Sequence, residues 1–345
     1  MKKLIVILLI LILTGCDYKE LSDLSIGTVL GIDKKEDKYI VTALIVSQNE
    51  GETHLFEGQG TSITAAIDNL NLNLTENLYL NHLQSLVIET NVAKEGMKNI
   101  LNYFLKNKEI DRDFYMFLAH NNSSSEILKH LLDKSNGNYN SITNIFKTHD
   151  EIKYTDNSNS FSSFLNTILK DGIEPTLNSL TIKNNTLIIS DIGVFKKDKL
   201  IEYIDSNIGY ASLNSTAKQV TLNIPCQNKN TVLVIENIKT TTKTHNKHII
   251  NNISGNIKLK ENNCKFKTRT DEEKKKIENL TSLELEKLVD KTIKQSKKIN
   301  SDIFGYKEFL YKNYENTDIN YNDLKITNKI KLSTKNIESS DAYHE

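Results

Sequence analysis

The sequence predicts an α+β protein of more than one domain: an N-terminal α/β region, then a C-terminal domain of antiparallel sheet with a long helix. Three observations carry this. In the first half, strand-length apolar runs alternate with segments whose apolar residues recur every three or four positions. In the second half, four β-rich segments follow one another through short polar links. Behind them, residues 271–299 form one long amphipathic stretch.

The chain opens with a segment that stands apart from this body. Lys2 and Lys3 form a basic head, and residues 4–13 are an unbroken run of Leu, Ile and Val. Leu13-Thr14-Gly15-Cys16 then places small residues before a cysteine. The run is too short for a stable spanning helix, which needs about 20 apolar residues. It has the layout of a cleaved lipoprotein signal. Residues 1–15 are therefore expected to be removed. Cys16 is expected to take a diacylglycerol and tether a body lying outside the cytoplasmic membrane.

In the first half, residues 24–32 and 39–46 read as strands joined by a polar hairpin loop. Gly27 and Gly31 mark a bulge or a close backbone approach. Gly58-Gln59-Gly60 reads as a loop, since a dinucleotide site needs a third glycine. Residues 62–74 read as a helix with Ala65, Ala66, Leu70 and Leu74 on one face. Residues 83–89 form a further strand. Met97, Ile100, Leu101, Phe104 and Leu105 then draw one helical stripe. After a charged break, residues 114–119 are a strand, and Ser123 with Glu126 forms a capping box before Ile127, Leu128, Leu131 and Leu132. Residues 136–160 are a polar excursion. Phe161, Phe164, Leu165, Ile168 and Leu169 give another helix, which Gly172 is placed to end.

The boundary is expected at 175–185, giving an N-terminal domain at 16–185 and a C-terminal domain at 186–345. Strands are expected at 186–195, 216–225, 231–241 and 247–260, joined antiparallel. The long helix buries Leu285, Leu288, Val289, Ile293 and Ile299, while Lys294, Lys297 and Lys298 suit its negative end. A short helix at 302–314 follows. Leu324, Ile326, Ile330 and Leu332 then alternate with polar residues as a last strand.

Composition narrows the function. The 345 residues are 38% hydrophobic and 26% charged, a globular balance. Lys plus Arg equals Asp plus Glu at 44 each, so nucleic acid is not an expected partner. No G-x-S-x-G, Walker loop or H-E-x-x-H occurs. His245 and His248 would point to opposite faces of a strand, which does not suit a shared metal. Asp111-Arg112-Asp113 reads as a solvated loop and His82 as a packing or surface residue. Cys226 and Cys264 are able to pair in an exported chain, but with no CxxC partner two free or buried thiols are the default. No catalytic residue, cofactor or metal is assigned. The chain reads as a binding or assembly module, and Cys16 is the one residue given a defined chemical role.

Four segments, in order, resemble the Ger(x)C family, the lipoprotein C subunits of spore germinant receptors. The first is Gly15-Cys16-Asp17-Tyr18-Lys19-Glu20-Leu21, followed by Gly31-Ile32-Asp33; the tryptophan that follows the cysteine in the family is absent. The second is His82-Leu83-Gln84-Ser85-Leu86-Val87-Ile88-Glu89, with Ala93, Gly96 and residues 100–104 behind it. The third is Gly193-Val194-Phe195-Lys196, and the fourth is Ser301-Asp302-Ile303-Phe304-Gly305 after the long helix. The resemblance implies a non-enzymatic lipoprotein on the outer face of the spore inner membrane. Its implied partners are two polytopic membrane subunits, A and B, in a complex answering nutrient germinants. Whether this subunit touches the germinant stays open. The alternative is a solute-binding lipoprotein of a membrane transporter, which shares the anchor but calls for a repeated βα pattern in two lobes.

Overall fold

The computed structural model describes residues 24–46, 52–135, 159–205, 207–214, 219–226, 229–245, 248–266, 270–313 and 319–334. The signal segment with Cys16, and nearly all of the polar excursion at 136–160, lie outside the described residues.

The first unit is built on a nine-stranded sheet. Strands β1 (Leu24–Lys35) and β2 (Lys38–Val46) form the expected hairpin, closed by the pair Lys35 and Lys38. The register slips between Gly27 and Val29, the bulge that a glycine in a strand signals. β3 (Thr53–Gly60) adds antiparallel to β2. β4 (Asn77–Tyr79) and β5 (Ser85–Glu89) run parallel to β1. β6 (Tyr115–Ala119) and β7 (Thr176–Lys183) continue in parallel. β8 (Thr186–Lys196) and β9 (Lys199–Ile204) finish it antiparallel. The order is β3-β2-β1-β5-β6-β7-β8-β9, with β4 beside β1.

Helices cover both faces, which is why the central strands read as unbroken apolar runs. On one face α1 (Ile63–Asn71), α2 (Thr90–Glu95), α3 (Lys98–Lys106) and α5 (Phe161–Ile168) pack Leu70, Val92, Phe104 and Phe164 against Leu30, Ile88 and Met116. On the other, α4 (Ser124–Ser135) packs Ile127, Leu128 and Leu131 against Val29, Val87 and Phe117. Fully burying each such side chain contributes about 1.5–3 kcal/mol.

Several local expectations are corrected. The Gly58–Gly60 segment is the end of strand β3, not a loop. A β-carbon on either glycine would fall on backbone atoms of α1, so the glycines let that helix lie on the strand. The stripe from Met97 to Leu105 is preceded by a separate helix, α2, and Gly96 at φ +134° makes the corner between α2 and α3. Helix α5 ends at a right-handed Leu169. Gly172 does not cap it: it turns left-handed three residues later, where a β-carbon would strike the backbone of Glu308.

The second unit has a four-stranded sheet, β10 (Gln219–Cys226), β11 (Lys229–His245), β12 (His248–Glu261) and β13 (Lys325–Ser333), in that order. β10, β11 and β12 are antiparallel as expected, but β13 runs parallel to β12. The parallel pairing follows from α7 (Asp271–Lys298), which carries the chain back along the sheet before β13 begins. Ile277, Leu285, Val289 and Ile293 of α7 pack on Leu222, Ile235, Ile253 and Leu332. Thr270 caps α7 by accepting from Glu273 N.

The division expected at 175–185 does not coincide with the sheets. β7 and β8 are a hairpin across it, and β9 closes the first sheet at Ile204. The second core begins with α6 (Asn207–Asn214), whose Ala211 and Leu213 join the α7 cluster.

Candidate functional site

The segment that ties the two units together is Ser301-Asp302-Ile303-Phe304-Gly305, between α7 and α8 (Tyr306–Asn313). The helix expected at 302–314 begins with Asp302. In the structure it stands before the helix and organises the turn. Its carboxylate accepts the backbone N–H groups of Phe304 (3.3 Å), Tyr306 (3.2 Å) and Lys307 (2.7 Å), the role of a helix cap. Its own carbonyl accepts Glu174 N at 2.9 Å, a residue of the first unit. Ser301 Oγ donates to Phe195 O at 3.2 Å, Glu308 N donates to Gly172 O at 3.0 Å, and Lys197 N donates to Glu174 Oε2 at 2.9 Å. Beneath these bonds, Ile303 and Tyr210 are buried against Ile192, Val194 and Ile204.

Asp302 is 3% exposed, and burial pushes its carboxyl up to about 6 despite the backbone donors. The folded chain therefore binds this proton more tightly than the unfolded chain. Stability from this group is greatest below about pH 4 and is lost as pH rises through about 6. We expect unfolding stability to fall across that window by up to about 3 kcal/mol, at about 1.4 kcal/mol per pK unit. Asp302→Asn keeps one acceptor without the charge and should flatten the fall. Denaturant titrations of both chains from pH 4 to 8 check this; parallel curves would refute it.

Beside the turn lies a cleft of about 430 Å³ lined by Glu174, Lys196, Asp302, Lys307, Tyr321 and Asp323, among others. It is polar, with cations and carboxylates from both units. A second cavity, about 470 Å³, lies in the first unit between α1 and α3, where burial pushes the Tyr103 hydroxyl up to about 12.

The carboxyl ends of the parallel strands are the other place where an open α/β sheet commonly holds a ligand. β5 feeds α2 on one face and β6 feeds α4 on the other, so the two ends frame a crevice. Here the chain's own side chains occupy it. Thr90 Oγ1 donates to Ala119 O at 2.7 Å and lies 2.7 Å from Tyr203 Oη. The Tyr203 ring stacks on His120 at 3.8 Å, and His120 Nδ1 is 3.1 Å from Asp191 Oδ2. Burial pushes the Tyr203 hydroxyl up to about 12. The N-terminus of α4 is filled by Asp33, which accepts Ser124 N (2.7 Å), Ser124 Oγ (2.8 Å) and Ser125 N (3.0 Å). Ser123 and Glu126 make the predicted capping box on the same turn.

The remaining sequence candidates fall as follows. Cys226 and Cys264 are disulfide-bonded, with Cα atoms 5.8 Å apart, so the two-thiol default is corrected. The bond joins the end of β10 to the turn after β12, which sheet pairing brings together across 38 residues. His245 and His248 are not on one strand. They are opposed partners where β11 meets β12, and they share a face. His248 Nε2 contacts Thr327 Oγ1 at 2.8 Å. Arg112 donates to Leu105 O at 3.0 Å within the loop expected there. Among the described residues no group of His, Cys, Asp and Glu is arranged to hold a metal.

The chain thus has two docked units, a switch-point crevice lined by its own Thr90, His120, Asp191 and Tyr203, and a disulfide-clasped sheet. The spore germination protein N-terminal domain model matches residues 17–182, and the spore germination B3/GerAC-like C-terminal model matches 190–338. Spore germination protein GerQC of Bacillus cereus is 24% identical over 331 residues, covering 89% of each chain. Putative spore germination protein YfkR of Bacillus subtilis is 21% identical, covering 88% of this chain and 85% of that one. The crystal structure of the GerBC protein shares the fold at 14% identity and a TM-score of 0.56, covering 89% of this chain and 97% of that chain. The chain belongs to the GerAC-like family of spore germination proteins.

Proposed function

We propose that this chain is the lipid-anchored, non-enzymatic C subunit of a spore nutrient germinant receptor, assembling with polytopic A and B subunits. The observation that carries the reading is the match of both family models, in order, across nearly the whole chain. The Leu13-Thr14-Gly15-Cys16 sequence supports the anchor. Among the described residues no helix is long and apolar enough to cross a membrane. A lipid on Cys16 would hold the body at the outer face of the cytoplasmic or spore inner membrane. Weak contacts with membrane subunits then act as intramolecular ones. The subunit's work in this reading is to stabilise or bias one arrangement of the complex. The transporter alternative is set aside: both matching family models describe spore germination proteins, and the relatives are spore germination proteins.

The test is Cys16→Ala in the native host. The expected result is release of the protein from the membrane fraction and loss of nutrient-triggered germination, with non-nutrient triggers intact. Normal membrane retention and normal nutrient germination would overturn the anchored reading.

A further inference from the structure

The two faces of the second sheet differ sharply in charge. Along β12, Ile249, Ile253 and Ile257 are buried toward the helices, so the even-numbered residues point away from them. The registers of β11 and β13 against β12 extend that outward face over three strands. It carries Lys239, Lys243 and Lys258 from β11 and β12, and Lys325, Lys329 and Lys331 from β13, all exposed. Of the acidic residues on these strands, Glu236 lies opposite Asn256 and Glu261 opposite Val232, with Lys258 opposite Val234 between them. The chain as a whole is balanced at 44 cations and 44 anions, so this face is a local concentration.

Its layout is regular. Lys239 and Lys331 flank Ser254, Lys329 lies across Asn252 from Thr241, and Lys243 lies across Ile250 from Thr327. Cations thus stand in the two outer columns, with the uncharged β12 residues Ile250, Asn252, Ser254 and Asn256 between them and Lys258 beyond. Neighbouring strands lie about 5 Å apart and alternate residues of a strand about 7 Å apart, so the ammonium groups are spread over a broad, even surface. The described ion pairs that contain a lysine all involve other lysines. Both described cavities lie elsewhere.

We infer that this face of the β10–β13 sheet docks on an anionic phospholipid bilayer. An extended plane of separate point charges complements a surface whose negative charge is itself spread in a plane, with each lysine worth roughly a fivefold gain in binding there. The inference needs no lipid on Cys16. Such docking would fix which way the second unit faces at the membrane.

The experiment uses a chain beginning at Asp17, which retains every described element, since the first starts at Leu24, and which has no site for the lipid. It is sedimented with phosphatidylcholine vesicles, with or without phosphatidylglycerol. Binding is expected only to the anionic vesicles and should vanish in high salt, which shortens the range of the field. Combining Lys239→Gln, Lys243→Gln, Lys329→Gln and Lys331→Gln should weaken binding by several hundredfold, at roughly fivefold per lysine. Lys275→Gln, Lys276→Gln, Lys287→Gln and Lys294→Gln, an equal charge change on α7, should leave it unchanged. Thermal unfolding of both variants checks that each is folded. Equal binding to neutral and anionic vesicles, or an equal loss in the α7 variant, would overturn the inference. So would retention of an acidic polypeptide or nucleic acid by the four sheet lysines with no binding to vesicles. A failed Cys16→Ala experiment would leave this result standing, because the chain used here carries no lipid.

Discussion

Removing the disulfide, by Cys226→Ser with Cys264→Ser, is expected to lower the stability of the second unit by about 4 kcal/mol, the chain-entropy value for a closed loop of 38 residues. The geometry explains why the loss should be large. β10 is an edge strand with one paired neighbour, β11. Pro225 near its end has no N–H to give to the ladder. The disulfide fastens that end to the turn after β12, where Cys264 N also donates to Thr231 Oγ1 at 2.9 Å. Without the bond, β10 should fray first and uncover Val220, Leu222 and Ile224, all of which are buried. Denaturant unfolding with and without reductant measures the effect. The variant should match the reduced wild type. A loss below about 1 kcal/mol would mean that the unfolded chain gains little freedom when the bond is cut, contrary to the loop-entropy account.

Asp33→Ala should cost the first unit about 3 kcal/mol, the loss of a buried charged acceptor that serves several donors. Asp33 is 6% exposed, and it joins the end of β1 to the first turn of α4 across more than ninety residues. Without it, Ser124 N and Ser125 N, among the free donors of that helix start, lose their acceptor. Gly31 belongs to the same contact. A β-carbon there would lie 2.6 Å from Ser124 Oγ and 3.1 Å from Ser124 Cβ, so glycine lets the helix start approach the strand. The Gly31-Ile32-Asp33 sequence thus has a physical reading: one residue makes room and another makes the cap. Asp33→Asn, which keeps an acceptor oxygen, should lose clearly less than Asp33→Ala in the same unfolding measurement. Equal losses would show that packing, not the hydrogen bonds, holds α4 in place.

Much of this fold was legible because periodicity reports burial. The Met97–Leu105 stripe, the capping box at Ser123 and Glu126, and the alternation from Leu324 to Leu332 each carried their own local evidence. What was not legible depends on contacts between distant residues. Gly58 and Gly60 looked like a loop because the helix they accommodate is specified elsewhere. β7 has apolar residues on both faces, Leu177 toward one helix layer and Leu180 toward the other, so it shows no alternation and reads as a boundary. The parallel pairing of β13 depends on where α7 returns the chain. The disulfide depends on a register that no spacing rule contains. At the junction, Asp302 was legible as part of a motif but not as a cap, because its acceptors reach backbone groups two to five residues further on.

The hairpin of β7 and β8, with β9 beyond it, bears on how the chain folds as it is made. A chain synthesised from its N-terminus emerges piece by piece. When residues up to 185 have emerged, β7 still lacks its antiparallel neighbour and leaves an open edge, the kind that invites pairing with other chains. Phe195 and Leu200, which complete the core beneath α5, arrive only with the next twenty residues. The first unit can close only once Ile204 has emerged. Its safe folding therefore depends on prompt delivery of a segment that sequence matching assigns to the second half.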